Sequence, residues 1–189
     1  MLTIEDYLIQ NAEKYPDIII PILSSQNHFR AGINTTNVEF LPRMRGEYVA
    51  HCDGDDYWID ENKLQKQVDF LDSHPEYIIC ATRAKIVWSD GLHSTEFAPS
   101  KRFLRGHKYL TFDDLLKENF IINSSVMYRW LYKPTDYPSG IMPGDWFIHL
   151  LHAQYGKIKI LPEPMVVYSR WSGGIWQSAA GNSFYTKNA

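Results

Sequence analysis

Amphipathic helical segments alternate with short apolar runs along the first part of the chain, and this alternation constrains the fold most. Thr3–Tyr15 has helical spacing, and Ile18–Leu23 is a wholly apolar run typical of a strand buried on both faces. A second helix is predicted from Ile33 to Arg45 and a second strand from Glu47 to Cys52. The alternation predicts an α/β domain with a mostly parallel sheet, in which ligands bind beyond the carboxyl ends of the strands.

Predicted helices and strands continue to alternate along the rest of the chain. The predicted elements are a helix at Glu61–Ser73, a strand at Tyr77–Trp88, a basic loop at Ser89–Lys108, a helix capped by Thr111, a strand at Ile122–Arg129, a loop at Lys133–Pro143, a helix at Asp145–Tyr155, and short strands at Lys157–Leu161 and Met165–Tyr168. We therefore expect one domain over residues 1–171, followed by a polar tail at 172–189.

Composition excludes some classes of protein. The net charge of −3 gives no basic field for nucleic acid, and no apolar run approaches the ~18 residues of a membrane-spanning helix. Peripheral contact with a membrane stays open. Cys52 and Cys80 each lie in an apolar run, which predicts two buried thiols in a reducing compartment such as the cytoplasm.

An acidic turn follows the second predicted strand, in the stretch AHCDGDDYW. Asp53, Asp55 and Asp56 place three carboxylates within four residues, where like charges repel one another. An isolated turn of this kind is most often simply solvated. Two carboxylates around Gly54 are also a ligand pair for Mg²⁺, which takes its remaining ligands from water and phosphate. An EF-hand is excluded, because Leu64 stands at its twelfth position, where glutamate is needed.

The residues around this turn resemble those of family 2 glycosyltransferases. The matching residues are Gly46-Glu47-Tyr48, Asp53 to Asp56, Tyr57-Trp58, Lys63-Leu64 and Gln67 to Leu71. Further blocks that resemble the family are Gly32-Ile33-Asn34, residues 119–129 and residues 143–158. The resemblance covers nearly the whole chain in several separate blocks.

This resemblance implies the A-type glycosyltransferase fold, a Rossmann-like sandwich, with a nucleotide-binding part at 1–60 and an acceptor-side part at 61–171. It implies inverting transfer of a sugar from a nucleotide-diphosphate donor to an acceptor hydroxyl of a carbohydrate or a lipid-linked acceptor. Mg²⁺ or Mn²⁺ would be bound by Asp55, with Asp53 on the ribose or the metal, and Asp145 would be the general base. Asn34 and Arg170 would contact the donor, Arg170 at its phosphates.

Two departures from the family pattern affect these expectations. The family opens with a strand–helix–strand unit, roughly 30 residues or more, that holds the base and ribose, and we expect this chain to lack it. The family's Tyr-Arg-x-His-x-Gly-Gly run reads Tyr168-Ser169-Arg170-Trp171-Ser172-Gly173-Gly174 here, so the arginine is shifted by one place and Trp171 replaces the histidine.

Several residues keep a purely structural alternative. Asp145 could be a helix N-cap, and Asp56 could cap the following helix or support the metal site. Ser124 and Ser125 could line the acceptor pocket or begin a strand, and Trp58 and Trp146 could stack on a sugar or pack. His149 and His152 are expected at a helix surface or core edge.

Three functional hypotheses remain open at this stage. A glycosyltransferase of bacterial surface polysaccharide synthesis, acting in the cytoplasm or at the inner face of the membrane, is favoured. A catalytically incompetent remnant or binding module of the same fold is the alternative. A nucleotidyltransferase would need a glycine-rich basic loop near its start, and the sequence has none there. The donor sugar, the acceptor and the oligomeric state are not indicated.

Overall fold

Two compact units make up the described part of the chain. The structure is a computed structural model and describes residues 3–28, 31–88, 96–131 and 144–171. Described residues up to Arg45 form the first unit, and those from Gly46 onward form the second. The predicted boundary at residue 60 is not tested by this division. The predicted loop at Lys133–Pro143 and the polar tail lie outside the described residues.

The first unit contains helix α1, Ile4–Lys14, and a short π-helical turn, Thr36–Phe40. The predicted first helix is confirmed, with a capping box in which Thr3 and Asp6 satisfy each other's backbone N–H groups. The predicted helix from Ile33 to Arg45 is reduced to the π-helical turn. The strand predicted at Ile18–Leu23 is wrong: Ile18 and Ile20 are 79% and 73% exposed, and no described strand pairs with this run.

The second unit is an α/β sheet structure. Its strands are β1 (Tyr48–Ala50), β2 (Tyr57–Trp58), β3 (Tyr77–Trp88), β4 (Glu96–Ala98), β5 (Met127–Arg129) and β6 (Lys157–Arg170). Its helices are α2 (Lys63–Ser73), α3 (Lys101–Arg105), α4 (Phe112–Lys117) and α5 (Gly144–Ala153), and a 3₁₀ turn covers Asn123–Ser125. The predicted α2, β3 and Thr111-capped helix are confirmed.

The sheet is mixed, with the order β1-β5-β3-β6-β2 and with β4 paired to β3. Among the described strands, β3 and β6 are parallel and the other four pairings are antiparallel. The prediction of a mostly parallel sheet is therefore wrong for this part of the chain. Parallel pairing was inferred from helix–strand alternation, but β2, β4 and β5 are short strands that pair antiparallel with the two long ones, and β1 pairs antiparallel with β5.

Three local predictions also change. Ser89–Lys108 was expected to be a loop, yet its described part contains β4 and α3. Ser100 is the N-cap of α3, and its hydroxyl accepts from the Phe103 N–H at 3.1 Å. The two final strands form one continuous β6. Cys80 is buried as predicted, but Cys52 is exposed, because β1 ends at Ala50.

The core lies between α2 and the centre of the sheet, where Leu71, Cys80 and Met127 are almost fully buried and pack together. Gln67 of α2 is also fully buried, and its amide donates to the backbone oxygens of Cys80 at 2.6 Å and Ser125 at 3.0 Å. A buried amide satisfied in this way ties α2 to β3 and to the 3₁₀ turn.

Gly156, which follows α5, lies close to the backbone of Glu76 and Ile78. A Cβ added there would lie 2.9 Å from the Glu76 oxygen and 3.3 Å from the Ile78 nitrogen, both backbone atoms. We predict that Gly156→Ala lowers the free energy of unfolding by about 1–3 kcal/mol, since the backbone must shift. Denaturant unfolding measures this change. Gly54→Ala is the matched control, because nothing lies within 4 Å of its Cβ, and equal losses in the two variants would contradict the prediction.

Candidate functional site

The acidic turn lies directly beyond β1 and presents its carboxylates unequally. The Asp56 N–H donates to the Asp53 carbonyl oxygen at 3.1 Å, which closes the turn. Asp53 and Asp55 are exposed, whereas Asp56 is only 9% exposed. Two carboxylates therefore face outward and the third turns into the protein.

Asn123 and Ser124 of the 3₁₀ turn hold this acidic turn in place. The Asn123 amide donates to both carboxylate oxygens of Asp53, at 3.0 and 3.1 Å. The hydroxyl of Ser124 accepts from the Asp53 backbone N–H at 3.0 Å and donates to the Asp56 carboxylate. Ser124 is fully buried, and its bond to Asp56 is therefore protected from water.

The buried Asp56 carboxylate links the acidic turn to β6. Its second oxygen accepts from the Ser169 backbone N–H in β6 at 2.9 Å. Burial raises the pKa of Asp56, and this outweighs the opposing bonds from Ser124 and Ser169. Asp56 is not a helix cap, because α2 begins after Asn62. It therefore positions the turn.

The Lys63 and Gln67 side chains, both within the matching blocks, also have structural roles. The ammonium of the fully buried Lys63 donates to the side-chain Oε1 of Gln67 at 2.9 Å and lies 4.4 Å from the centre of the Trp58 ring. Burial lowers the pKa of Lys63 to about 8. The Trp58 indole N–H donates to the Ser124 carbonyl at 2.9 Å, which fixes this ring by packing and hydrogen bonding.

Asp145 lies in the first turn of α5 and is half-buried. One carboxylate oxygen accepts from the Trp146 N–H at 2.8 Å, and the Trp146 indole N–H donates to the Leu115 carbonyl at 2.9 Å. Burial raises the pKa of Asp145, the Trp146 N–H lowers it, and the negative charge of Asp53 raises it further; the net direction is upward. The structure thus brings Asp145 within electrostatic reach of the acidic turn.

Tyr168 and Arg170 of β6 complete the surroundings. Burial raises the pKa of Tyr168; Arg170 lowers it, and Asp56, Asp55 and Asp145 raise it. The Arg170 guanidinium lies 5.2 Å from the Trp88 ring centre and 5.5 Å from that of Tyr168. Its Nε is buried and has no hydrogen-bond partner within the described residues. A buried donor that stays unsatisfied is exceptional, which marks Arg170 as a candidate for a functional contact.

The two α5 histidines are fully buried core residues, so the position expected for them at a helix surface or core edge is wrong. His149 and His152 are both fully buried, and the His149 Nδ1 shares a hydrogen bond with the Tyr128 hydroxyl. Burial lowers the pKa of His149 to about 3 and that of His152 to about 4, so both are neutral near pH 7. They face inward because α5 packs its buried side against the sheet.

Comparison with known proteins identifies the family. The model described as Glycosyl transferase family 2 matches residues 5–132, which is more than half of the chain. The chain belongs to glycosyl transferase family 2. Membership implies the A-type nucleotide-sugar transferase fold for this mixed α/β structure.

Several relatives of this family 2 chain share much of its sequence. Uncharacterized proteins of Mycobacterium bovis and Mycobacterium tuberculosis are each 43% identical over 168 residues, which is 89% of this chain and 46% of each relative. The putative teichuronic acid biosynthesis glycosyltransferase TuaG of Bacillus subtilis is 30% identical over 123 residues, which is 64% of this chain and 43% of that protein. This chain spans about half the length of the relatives it matches.

The acidic turn can contribute to a metal site without forming a complete one. Within the residues the structure describes, no group of three His, Cys, Asp or Glu side chains comes together to hold a metal. Asp55 is exposed and makes no hydrogen bond or ion pair with described side chains, and Asp53 keeps lone pairs beyond its bonds to Asn123. Two such carboxylates fit a hard cation that takes its other ligands from phosphate and water.

The predicted site residues are thus partly brought together. Asp53, Asp55, Asp145 and Arg170 belong to the second unit, whereas Asn34 belongs to the first and its role stays a prediction. Sequence reasoning missed Asn123 and undervalued Ser124. The signal was the polar triplet Asn123-Ser124-Ser125 set between the buried residues Ile121 and Val126.

Ser124→Ala tests the anchoring of the turn. We predict a loss of about 1–3 kcal/mol in the free energy of unfolding, because Asp56 stays buried without one of its donors. The loss should be larger at neutral than at acid pH, since a protonated Asp56 needs the donor less. Ser73→Ala is the matched control, because its exposed hydroxyl only donates to the Asp69 carbonyl. Equal effects of both variants at both pH values would contradict the anchoring role.

Proposed function

We propose that this chain carries the acceptor-side chemistry of an inverting, metal-dependent glycosyltransferase. The donor is a nucleotide-diphosphate sugar, and the acceptor is a hydroxyl of a carbohydrate or a lipid-linked carbohydrate. Family membership supports the transfer of a sugar. The observation that carries the mechanism is Asp145, a half-buried carboxylate with a raised pKa, coupled to the acidic turn.

Asp145 is assigned as the general base. Its carboxylate takes the proton from the acceptor hydroxyl while the acceptor oxygen forms a bond to the anomeric carbon and the bond to the diphosphate breaks. A single displacement of this kind inverts the anomeric centre. A raised pKa makes a carboxylate a better proton acceptor, at the cost of requiring a higher pH for ionisation. The rate should therefore fall on the acid side at a pH above the usual aspartate range.

The donor diphosphate is assigned to the acidic turn and Arg170. Asp53 and Asp55 would hold Mg²⁺ or Mn²⁺, which supplies Lewis-acid stabilisation of the leaving diphosphate when bound. Asn123 orients Asp53 for this task through its two hydrogen bonds. The Nε of Arg170, which has no hydrogen-bond partner among the described residues, would donate to a phosphate oxygen, a role that a guanidinium suits well.

The biological setting is proposed from the relatives. TuaG is described as a putative glycosyltransferase of teichuronic acid biosynthesis. We infer that this chain serves synthesis of a bacterial surface polysaccharide, in the cytoplasm or at the inner face of the membrane, where nucleotide sugars are made.

Calorimetry with Mn²⁺ and a panel of nucleoside diphosphates tests the proposal. The unaltered chain should bind at least one nucleotide in a cation-dependent manner. Asp55→Ala should weaken binding at least tenfold, about 1.4 kcal/mol, because one carboxylate ligand is lost. Asp145→Asn should leave binding intact and abolish transfer from the matching nucleotide sugar.

Asp113→Ala is the matched control, since Asp113 is an exposed carboxylate in the first turn of α4. It should change neither binding nor transfer. Equal binding by the Asp55→Ala variant would remove the metal assignment, and normal transfer by Asp145→Asn would remove the base. Absence of nucleotide binding by the unaltered chain would favour the alternative of an incompetent remnant.

A further inference from the structure

A second concave feature of this unit has no part in the proposed reaction. A pocket of about 380 Å³ lies beside α3 and β6. Leu104, Leu110, Ile158 and Ile160 give it an apolar lining, and Lys101, Arg105 and Lys108 contribute cationic side chains. Apolar walls with cations around them are the chemistry that recognises an anionic amphiphile.

The three cations are available for a ligand. Lys101, Arg105 and Lys108 are all exposed, and none has an ion pair with any residue in the described ranges. The sequence has no carboxylate between Glu96 and Asp113, although the whole chain has a net charge of −3. The positive charge of this segment is thus not offset by any carboxylate of the segment itself. Lys159 also lines the pocket, but its ammonium lies 5.6 Å from the Phe70 ring centre and is thus engaged within the protein.

The same surface exposes an aromatic side chain beside its charges. Tyr109, which lines the pocket, is 44% exposed. Tyrosine next to lysine and arginine is typical of segments that lie in the interface of a bilayer. Within the described residues no helix is long and apolar enough to cross a membrane.

We propose that this pocket and its basic rim dock the chain on an anionic membrane surface. The phosphate headgroup of an anionic lipid contacts Lys101, Arg105 and Lys108, and its first methylene groups lie on the apolar lining. Charge complementarity selects an anion, and the apolar lining favours a lipid over a free phosphate, which would gain nothing from it. This assignment is independent of Asp53, Asp55 and Asp145.

Vesicle co-sedimentation of the full chain tests the proposal. Vesicles of phosphatidylcholine with about one third phosphatidylglycerol should bind the chain, and pure phosphatidylcholine vesicles should not. The triple variant Lys101→Glu, Arg105→Glu, Lys108→Glu should lose on the order of a hundredfold in partition coefficient. Raising the ionic strength should weaken binding by the unaltered chain. Tyr109→Ala should weaken binding severalfold while keeping its salt dependence.

The control variant Lys14→Glu, Arg45→Glu, Lys117→Glu makes the same change in net charge at exposed positions elsewhere. It should retain most of the vesicle binding, and circular dichroism checks that both triple variants are folded. Equal binding by the two triple variants would overturn the proposal. So would equal binding to zwitterionic vesicles, or displacement from anionic vesicles by millimolar inorganic phosphate at constant ionic strength, which would make the ligand a free anion.

Discussion

The hydrogen bonds from Asn123 and Ser124 to the acidic turn are the constraint on which the rest of the site depends. They join segments about 70 residues apart and fix two carboxylates facing outward and one facing inward. Gln67, buried in α2, holds the same 3₁₀ turn from its other side through the Ser125 carbonyl. The exposed aspartates of the turn therefore rest on hydrogen-bonded polar groups, of which Ser124 and Gln67 are fully buried, and these bonds rigidify the turn.

Two carboxylates of the site, Asp56 and Asp145, lie where burial disfavours their charged form. Burial raises the pKa of both Asp56 and Asp145, and the charge of Asp53 adds to the effect at Asp145. A carboxylate whose folded-state pKa is raised contributes most stability below its unfolded pKa and loses that contribution as the pH rises through the folded pKa. Carboxylates kept in such positions are typical of sites that bind a cation or move a proton.

Sequence patterns predicted the local secondary structure better than they predicted the direction in which the strands pair. The capping boxes at Thr3 and Thr111, the helix α2 and the long β3 are set by nearby residues, and all are confirmed. Strand direction depends on distant partners, so the parallel sheet was wrong. The acidic turn and Asp145 could be found from residue type and family resemblance. Asn123 belongs to a polar triplet that the sequence shows, but its role could not be predicted, because that role depends on a contact about 70 residues away.

The central claim is that Asp145 and the acidic turn form one electrostatically coupled site. A carboxyl-detected NMR titration of Asp145, in the unaltered chain and in Asp53→Asn, tests it most directly. In the unaltered chain the pKa of Asp145 should lie above the ordinary aspartate value of about 3.9, and in Asp53→Asn it should fall while staying raised by burial. An Asp145 pKa at or below the ordinary value, or one unchanged by Asp53→Asn, would contradict the account.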